Sequence, residues 1–152
     1  GGFSTLYWPG EDTKLCLELT HGLKRKIVYD PNVLVYHHRR KLFGAHLKQV
    51  WSYAVHRGYF VKKFPKTSLR LSYFLPSLLV LGLLGGILVS FFNPVLRTAF
   101  VLALGLYFLA ALVTSLPSGI RMCPLVFLGI VSTHITYGAG FIRGMFAGSL
   151  VR

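Results

Sequence analysis

Two adjacent carboxylates, Glu11 and Asp12, are the residues of this sequence best suited to chemistry. They follow a Trp-Pro-Gly turn and precede a Leu-rich segment, so they are expected at the start of a helix. A carboxylate that points into a cleft can act as a general base and take the proton of an attacking hydroxyl group. The same pair can simply cap the helix and stabilise its dipole, and the residue types alone favour that structural role.

Two short strands and an amphipathic helix are predicted to position these carboxylates. Residues 26–29 and 33–36 are rich in β-branched and aromatic residues and flank an Asp-Pro-Asn turn, which predicts two strands. Residues 41–66 carry apolar side chains at helical spacing, with lysines on other faces. Such a helix suits a membrane interface, and packing on a soluble domain is an equal alternative.

Charge divides the chain at Arg70. Thirteen of the 17 Lys and Arg residues and all four acidic residues lie at or before it. Beyond it come three uncharged, apolar runs, residues 71–96, 98–120 and 122–142. Each run is long enough for a helix that crosses a bilayer, so we expect transmembrane helices at 71–92, 97–116 and 124–142. Basic residues just before the first run indicate that the charged segment before Leu71 lies in the cytoplasm. The net charge of +13 then indicates anionic lipids as partners rather than nucleic acid.

Four motifs in a fixed order carry a resemblance to a known family. Gly1-Gly2-Phe3 is followed by Gly10-Glu11-Asp12, then by the Gly-basic-Ile-Val-Tyr-Asp-Pro segment 22–31, then by Val-Tyr-His-His-Arg at 35–39. In this order the sequence resembles the acceptor-side segment of family 2 glycosyltransferases with the GT-A fold. The resemblance covers residues 1–64, and the apolar runs that follow agree with the membrane members of the family.

The resemblance implies a fold and a domain organisation. Residues 1–40 would be the α/β, C-terminal part of a GT-A catalytic domain, residues 41–66 an interfacial helix, and the remainder about three transmembrane helices. The family's Asp-x-Asp metal motif does not occur in this chain. The resemblance therefore implies that a nucleotide-binding half precedes Gly1, and that this chain is inactive alone.

The resemblance also implies roles for particular residues. Asp12 matches the catalytic base, and Glu11 its orienting neighbour. His37 lies where some members place a third ligand to a divalent metal, Mg²⁺ or Mn²⁺, which the upstream half would mainly hold. Imidazole suits Mn²⁺ better than Mg²⁺. A structural role for His37, or exposure in a basic loop, is an alternative of at least equal weight.

Three residues of the predicted amphipathic helix match the segment that closes over the nucleotide or the acceptor. These are Gln49, Trp51 and Arg57. A guanidinium group pairs well with diphosphate oxygens, although a lipid phosphate is an equal alternative partner for Arg57. The family's processive members carry Gln-x-x-Arg-Trp, whereas residues 49–53 here are Gln-Val-Trp-Ser-Tyr. That departure disfavours a polymerase with a secretion channel.

The function implied is sugar transfer, with inversion, from a nucleotide-diphosphate donor to a lipid-linked or polysaccharide acceptor. It would take place at the cytoplasmic face of a bacterial inner membrane or plasma membrane. The alternative is a non-enzymatic scaffold or subunit with three membrane helices and a basic cytoplasmic head. A transporter fragment has less support, because it rests on His134 and the Gly-rich third apolar run.

Overall fold

Every regular element in the computed structural model, which describes residues 2–38 and 40–150, is helical. A 3-10 turn at Thr5–Tyr7 precedes the first helix, a π-helical turn extends that helix through Glu18–Gly22, and a second 3-10 turn spans Leu116–Ser118. The α-helices are α1 (Glu11–Leu17), α2 (Gly44–Lys63), α3 (Pro65–Ser68), α4 (Leu71–Ser90), α5 (Pro94–Ser115) and α6 (Cys123–Phe146).

The predicted α/β fold is wrong, because the described residues contain no strand and no sheet. The turn predicted between the two strands does form, with the Asp30 carboxylate accepting from the Asn32 amide at 2.9 Å. Its flanking segments stay irregular, and Val28 and Tyr36 are 84% and 97% exposed. A strand is stabilised by a neighbouring strand and by burial of one face. Neither is available to residues 26–29 and 33–36 within the described structure.

Helices α4 and α5 form an antiparallel hairpin. Asn93 caps α5 by accepting hydrogen bonds from the amides of Val95 and Leu96 at 2.9 and 3.1 Å, and Pro94 starts the helix. Near the hairpin tip, Gly86 lies directly against the ring of Phe100. Three helices, α4, α5 and α6, are long and apolar enough to cross a membrane. The prediction of three helices with the length and composition of membrane spans is thus confirmed.

Helices α2 and α6 pack side by side and run in the same direction. His46, near the beginning of α2, lies beside Thr133 in the middle of α6, with the two side chains 3.1 Å apart. Near their ends, the Lys62 ammonium donates to the Ala147 carbonyl at 2.8 Å. Glycine makes the close approach possible, since a Cβ atom on Gly144 would lie 2.1 Å from the Val55 carbonyl oxygen. The predicted amphipathic helix is thus one half of a tight helix pair.

The N-terminal segment is held against the end of α2. Gly10 is buried against the Phe60 ring, where a Cβ atom would lie 2.7 Å from a ring carbon. The Tyr7 ring packs edge-on against Phe60 and Phe64, with centroid distances of 5.7 and 5.3 Å. This aromatic cluster fixes the start of α1, and therefore Asp12, over the C-terminal end of α2.

Candidate active site

A cleft of about 340 Å³ lies where α1, α2, α4 and α6 converge, and we call it the Asp12 cleft. Asp12 is exposed at the start of α1, where its carboxylate accepts from the Thr13 amide at 2.6 Å. The remaining lining combines cations, hydroxyl groups and aromatic rings. The cleft is lined by Pro9, Gly10, Asp12, Thr13, Tyr53, His56, Arg57, Phe60, Tyr73 and Tyr137.

Arg57 is held in a defined position opposite α1. Its guanidinium group lies over the Tyr73 ring, 4.9 Å from the centroid, and reaches the Ser68 hydroxyl at 3.5 Å. Stacking on an aromatic face and a planar fork of donors are properties that lysine does not share. The arrangement leaves the rest of the guanidinium fork available for an anion in the cleft.

His56 has a defined ring orientation because its Nδ1 atom lies 2.8 Å from the Ser52 carbonyl oxygen. A carbonyl can only accept, so Nδ1 carries a proton in this contact. In the neutral imidazole, Nε2 is then the acceptor. His56 can thus accept a hydrogen bond from a hydroxyl group in the Asp12 cleft.

A second cleft, of about 320 Å³, adjoins the first, and we call it the basic cleft. The two clefts share Asp12, Thr13, Arg57 and Tyr73. The basic cleft adds His21, Lys66 and Arg70 to its lining. Lys66 and Arg70 are exposed and lie immediately before α4. Cations therefore outnumber Asp12 on this side, at the point where the chain enters the first apolar helix.

Of the residues predicted for catalysis and substrate binding, only Asp12 and Arg57 meet in the Asp12 cleft. Glu11 lies beside a different cleft with Trp8, and its Oε2 atom is buried without a hydrogen-bond partner among the described residues. Gln49 donates to the Tyr53 hydroxyl at 3.2 Å and lies outside the cleft. Trp51 packs against α6, with the Arg143 guanidinium 5.7 Å from its ring.

The predicted role of His37 as a third metal ligand, beside ligands from an upstream half, stays a prediction. His37 is exposed and lines a cleft with Arg40, His46 and Gln49, and the described residues of this cleft include no carboxylate. Within residues 2–38 and 40–150, no three His, Cys, Asp or Glu side chains gather as a metal site. A divalent ion prefers anionic oxygen ligands, and this part of the chain does not supply them.

His56, Tyr73 and Tyr137 also line the Asp12 cleft, and none of them was predicted from the sequence as a site residue. A signal for His56 was available, because residues 53, 56, 57 and 60 recur at the spacing of one helical face. Tyr73 and Tyr137 lie inside apolar runs, where an aromatic residue carries no sign of a polar role. Only the packing of α6 against α2, and of α4 against α6, brings them to the cleft.

Comparison with protein-family models, with curated proteins and with solved structures finds no match for this chain.

Proposed function

We propose that this chain is part of a membrane-anchored glycosyltransferase, which moves a sugar from a nucleotide-diphosphate donor to a lipid-linked acceptor. The observation that supports the proposal is the meeting of Asp12 and Arg57 in one cleft. They lie 45 positions apart in the sequence, and a carboxylate base and a diphosphate-binding cation are the two groups that sugar transfer needs on this side of the reaction. The motif order of residues 1–39 is the second support.

In the proposed reaction the Asp12 carboxylate accepts the proton of an acceptor hydroxyl group. The hydroxyl oxygen forms a bond to the anomeric carbon of the donor sugar as the bond from that carbon to the diphosphate breaks. The diphosphate departs with the bonding electron pair, and a single displacement inverts the anomeric carbon. Arg57 would stabilise the negative charge that grows on the leaving group, and His56 would orient the attacking hydroxyl through Nε2.

The basic cleft supports a lipid-linked acceptor rather than a free polysaccharide. Lys66 and Arg70 line it directly before α4, the helix on which a lipid chain could lie. Because the two clefts are continuous at Asp12 and Arg57, a phosphate in the basic cleft would place an attached sugar beside the base. Charge-assisted contacts to phosphate oxygens are among the strongest that surface side chains make.

The test is Asp12→Asn in the protein as its gene encodes it, in native membranes. Incorporation of labelled sugar from nucleotide-sugar donors into lipid-extractable product is measured. We expect transfer to fall at least about a hundredfold, because general-base catalysis contributes factors of this order. Glu18→Gln is the matched control: Glu18 pairs with Lys14 at 3.1 Å and lines neither cleft, so transfer should persist.

Full activity in the Asp12→Asn protein at normal expression would remove Asp12 as the base. If membranes with the unaltered protein transfer no sugar from any common donor, the scaffold alternative takes precedence. In that case both carboxylate variants would leave assembly of the protein with its partners unchanged.

A further inference from the structure

Helix α6 has the length and composition of a transmembrane helix, yet its contacts place it elsewhere. We propose that only α4 and α5 cross the membrane, and that α6 lies within one leaflet beside α2. Its exposed apolar face would then be a docking surface for the acyl chains of that leaflet. This inference is independent of the proposed glycosyltransferase activity.

The hairpin of α4 and α5 provides a depth scale. The two helices are antiparallel, so Leu71 at the beginning of α4 and Ser115 at the end of α5 lie on one side, which we call the basic side. Each helical residue adds about 1.5 Å of depth when the hairpin is upright. Relative to the basic side, Phe74 is about 4.5 Å deep, Ser77 about 9 Å and Tyr107 about 12 Å.

Going along α6, the hairpin residues that it contacts lie first at increasing depth and then at decreasing depth. At the first residue, the Cys123 amide donates to the Gly119 carbonyl at 2.8 Å, just beyond the end of α5. In the middle of α6, the Nδ1 atom of His134 is within hydrogen-bond distance of the Tyr107 hydroxyl, at 3.1 Å. Four residues later, the Gly138 carbonyl accepts from Ser77 at 3.2 Å.

The later contacts return to the basic side. The Phe141 ring packs against Phe74, with a centroid distance of 5.0 Å. Beyond the helix, Ala147 accepts from Lys62, which precedes α4. A helix of this length measures about 36 Å and would cross a hydrocarbon core of about 30 Å only if its ends lay on opposite sides. Both ends of α6 lie on the basic side of the hairpin instead.

The exposed large apolar side chains of α6 share one face, and Arg143 is exposed at the edge of that face. Leu125, Leu128, Ile135 and Phe146 are between 42% and 82% exposed, and their spacing places them within about 80° of one another around the helix. Gly140 and Gly144 lie on the opposite side against α2, and Tyr137 faces the Asp12 cleft. An apolar face opposite a polar layer is the arrangement of a helix that lies in a membrane interface.

Charge favours the same placement. Arg121, which precedes α6, and Arg143, in its last turn, come to the side where Lys62 contacts Ala147. Lys63, Lys66 and Arg70 follow Lys62 in the sequence. A crossing α6 would carry its parallel partner α2 into the bilayer with it. Lys48 is exposed on α2, and a lysine at the centre of a membrane helix is strongly unfavourable for insertion. In the proposed arrangement the exposed polar residues of α2 stay in water.

Spin-label depth measurement tests the proposal on the full chain in lipid nanodiscs. In a background with Cys16→Ser and Cys123→Ala, Leu125→Cys, Phe146→Cys and Leu81→Cys are labelled one at a time. Their collision rates with oxygen and with a water-soluble nickel complex are then compared. We expect the two α6 positions to be equally shallow and Leu81, in the middle of α4, to be deep. A crossing α6 would separate its two positions by about 31 Å along the membrane normal.

Impermeant maleimide labelling of intact cells provides a second measurement that tolerates partial loss of stability. Lys63→Cys and Ser149→Cys should react from the same side, and Phe92→Cys in the hairpin tip from the other. Labelling of Ser149→Cys together with Phe92→Cys would overturn the proposal. Unequal depths at Leu125 and Phe146, or α6 labels as deep as Leu81, would also overturn it.

Discussion

Arg57 connects the two clefts at the scale of single residues. Its guanidinium group is positioned by Tyr73 and Ser68, which belong to the segment that enters the first apolar helix. Asp12 approaches from the other side on α1. The proposed base and the proposed anion-binding group are therefore supported by different elements. Their separation depends on how the N-terminal segment packs on Phe60 and how α4 packs on α6.

Arg57→Lys tests this geometry with the charge retained. Lysine cannot stack on Tyr73 and present a planar fork at the same time, so we expect sugar transfer to fall ten- to a hundredfold, consistent with the loss of a charged hydrogen bond of about 1.5–3 kcal/mol. Steady-state kinetics with the nucleotide-sugar donor measures the change in kcat/KM. Lys63→Gln is the control, because Lys63 lies on the same helix and lines neither cleft. A similar loss in both variants would speak against a specific role for Arg57.

Glycine determines the pairing of α2 with α6 at the scale of elements. Gly58 lies so close to α6 that a Cβ atom there would be 2.1 Å from the Phe141 carbonyl oxygen, and Gly144 makes the reciprocal approach to Val55. Such backbone contact is the recognised use of small residues in membrane helix packing. By contrast, Gly82 on α4 has open space around its Cβ position. Gly82 and Gly86 have GxxxG spacing, but of the two only Gly86 makes a close contact among the described residues.

Gly58→Ala should destabilise the protein because the added methyl group meets backbone rather than a flexible side chain. We expect a loss of about 1–3 kcal/mol in the free energy of unfolding, the usual range for overpacking. Denaturation in detergent, followed by tryptophan fluorescence of Trp51 at the helix interface, measures the change. Gly82→Ala adds the same methyl group in open space and should be close to neutral. Equal stability of the two variants would contradict the packing seen between α2 and α6.

At the scale of the whole molecule, charge and apolar surface are segregated. Thirteen of the 17 Lys and Arg residues lie at or before Arg70, ahead of the apolar hairpin, and the net charge of the chain is +13. Basic residues close to a negatively charged leaflet contribute about 1 kcal/mol each, an attraction that salt screens within a Debye length. The molecule is therefore suited to a membrane rich in anionic lipid.

Anionic lipid should raise the thermal stability of the protein. We expect a higher Tm in phosphatidylglycerol nanodiscs than in phosphatidylcholine nanodiscs at low salt. The difference should shrink near 1 M salt, where the Debye length is only about 3 Å. Circular dichroism melts measure it, and replacing Lys63 and Lys66 by Gln should reduce the difference in the same way. A Tm that is independent of lipid charge would show that the cations serve another purpose.

Much of the secondary structure could be predicted from local sequence. The apolar runs predicted α4, α5 and α6, because a helix that meets hydrocarbon must be apolar on its exposed faces, and this pattern is visible without a partner. The helix start at Glu11 and the Asp30-Pro31 turn are likewise local. The strands at 26–29 and 33–36 were wrongly predicted, because strand formation depends on neighbours that local sequence does not reveal.

The sequence by itself determined which segments are helical and where charge gives way to apolar surface, since both follow from residue type and spacing. Only the tertiary structure decided which side chains share a cleft. Asp12 and Arg57 come together because Gly10 and Tyr7 pack on Phe60, while Glu11, Gln49 and Trp51 face other surroundings. It also decided that both ends of α6 lie on one side of the hairpin. Hydropathy measures the length of an apolar helix but carries no information about its direction, which packing against neighbouring helices sets.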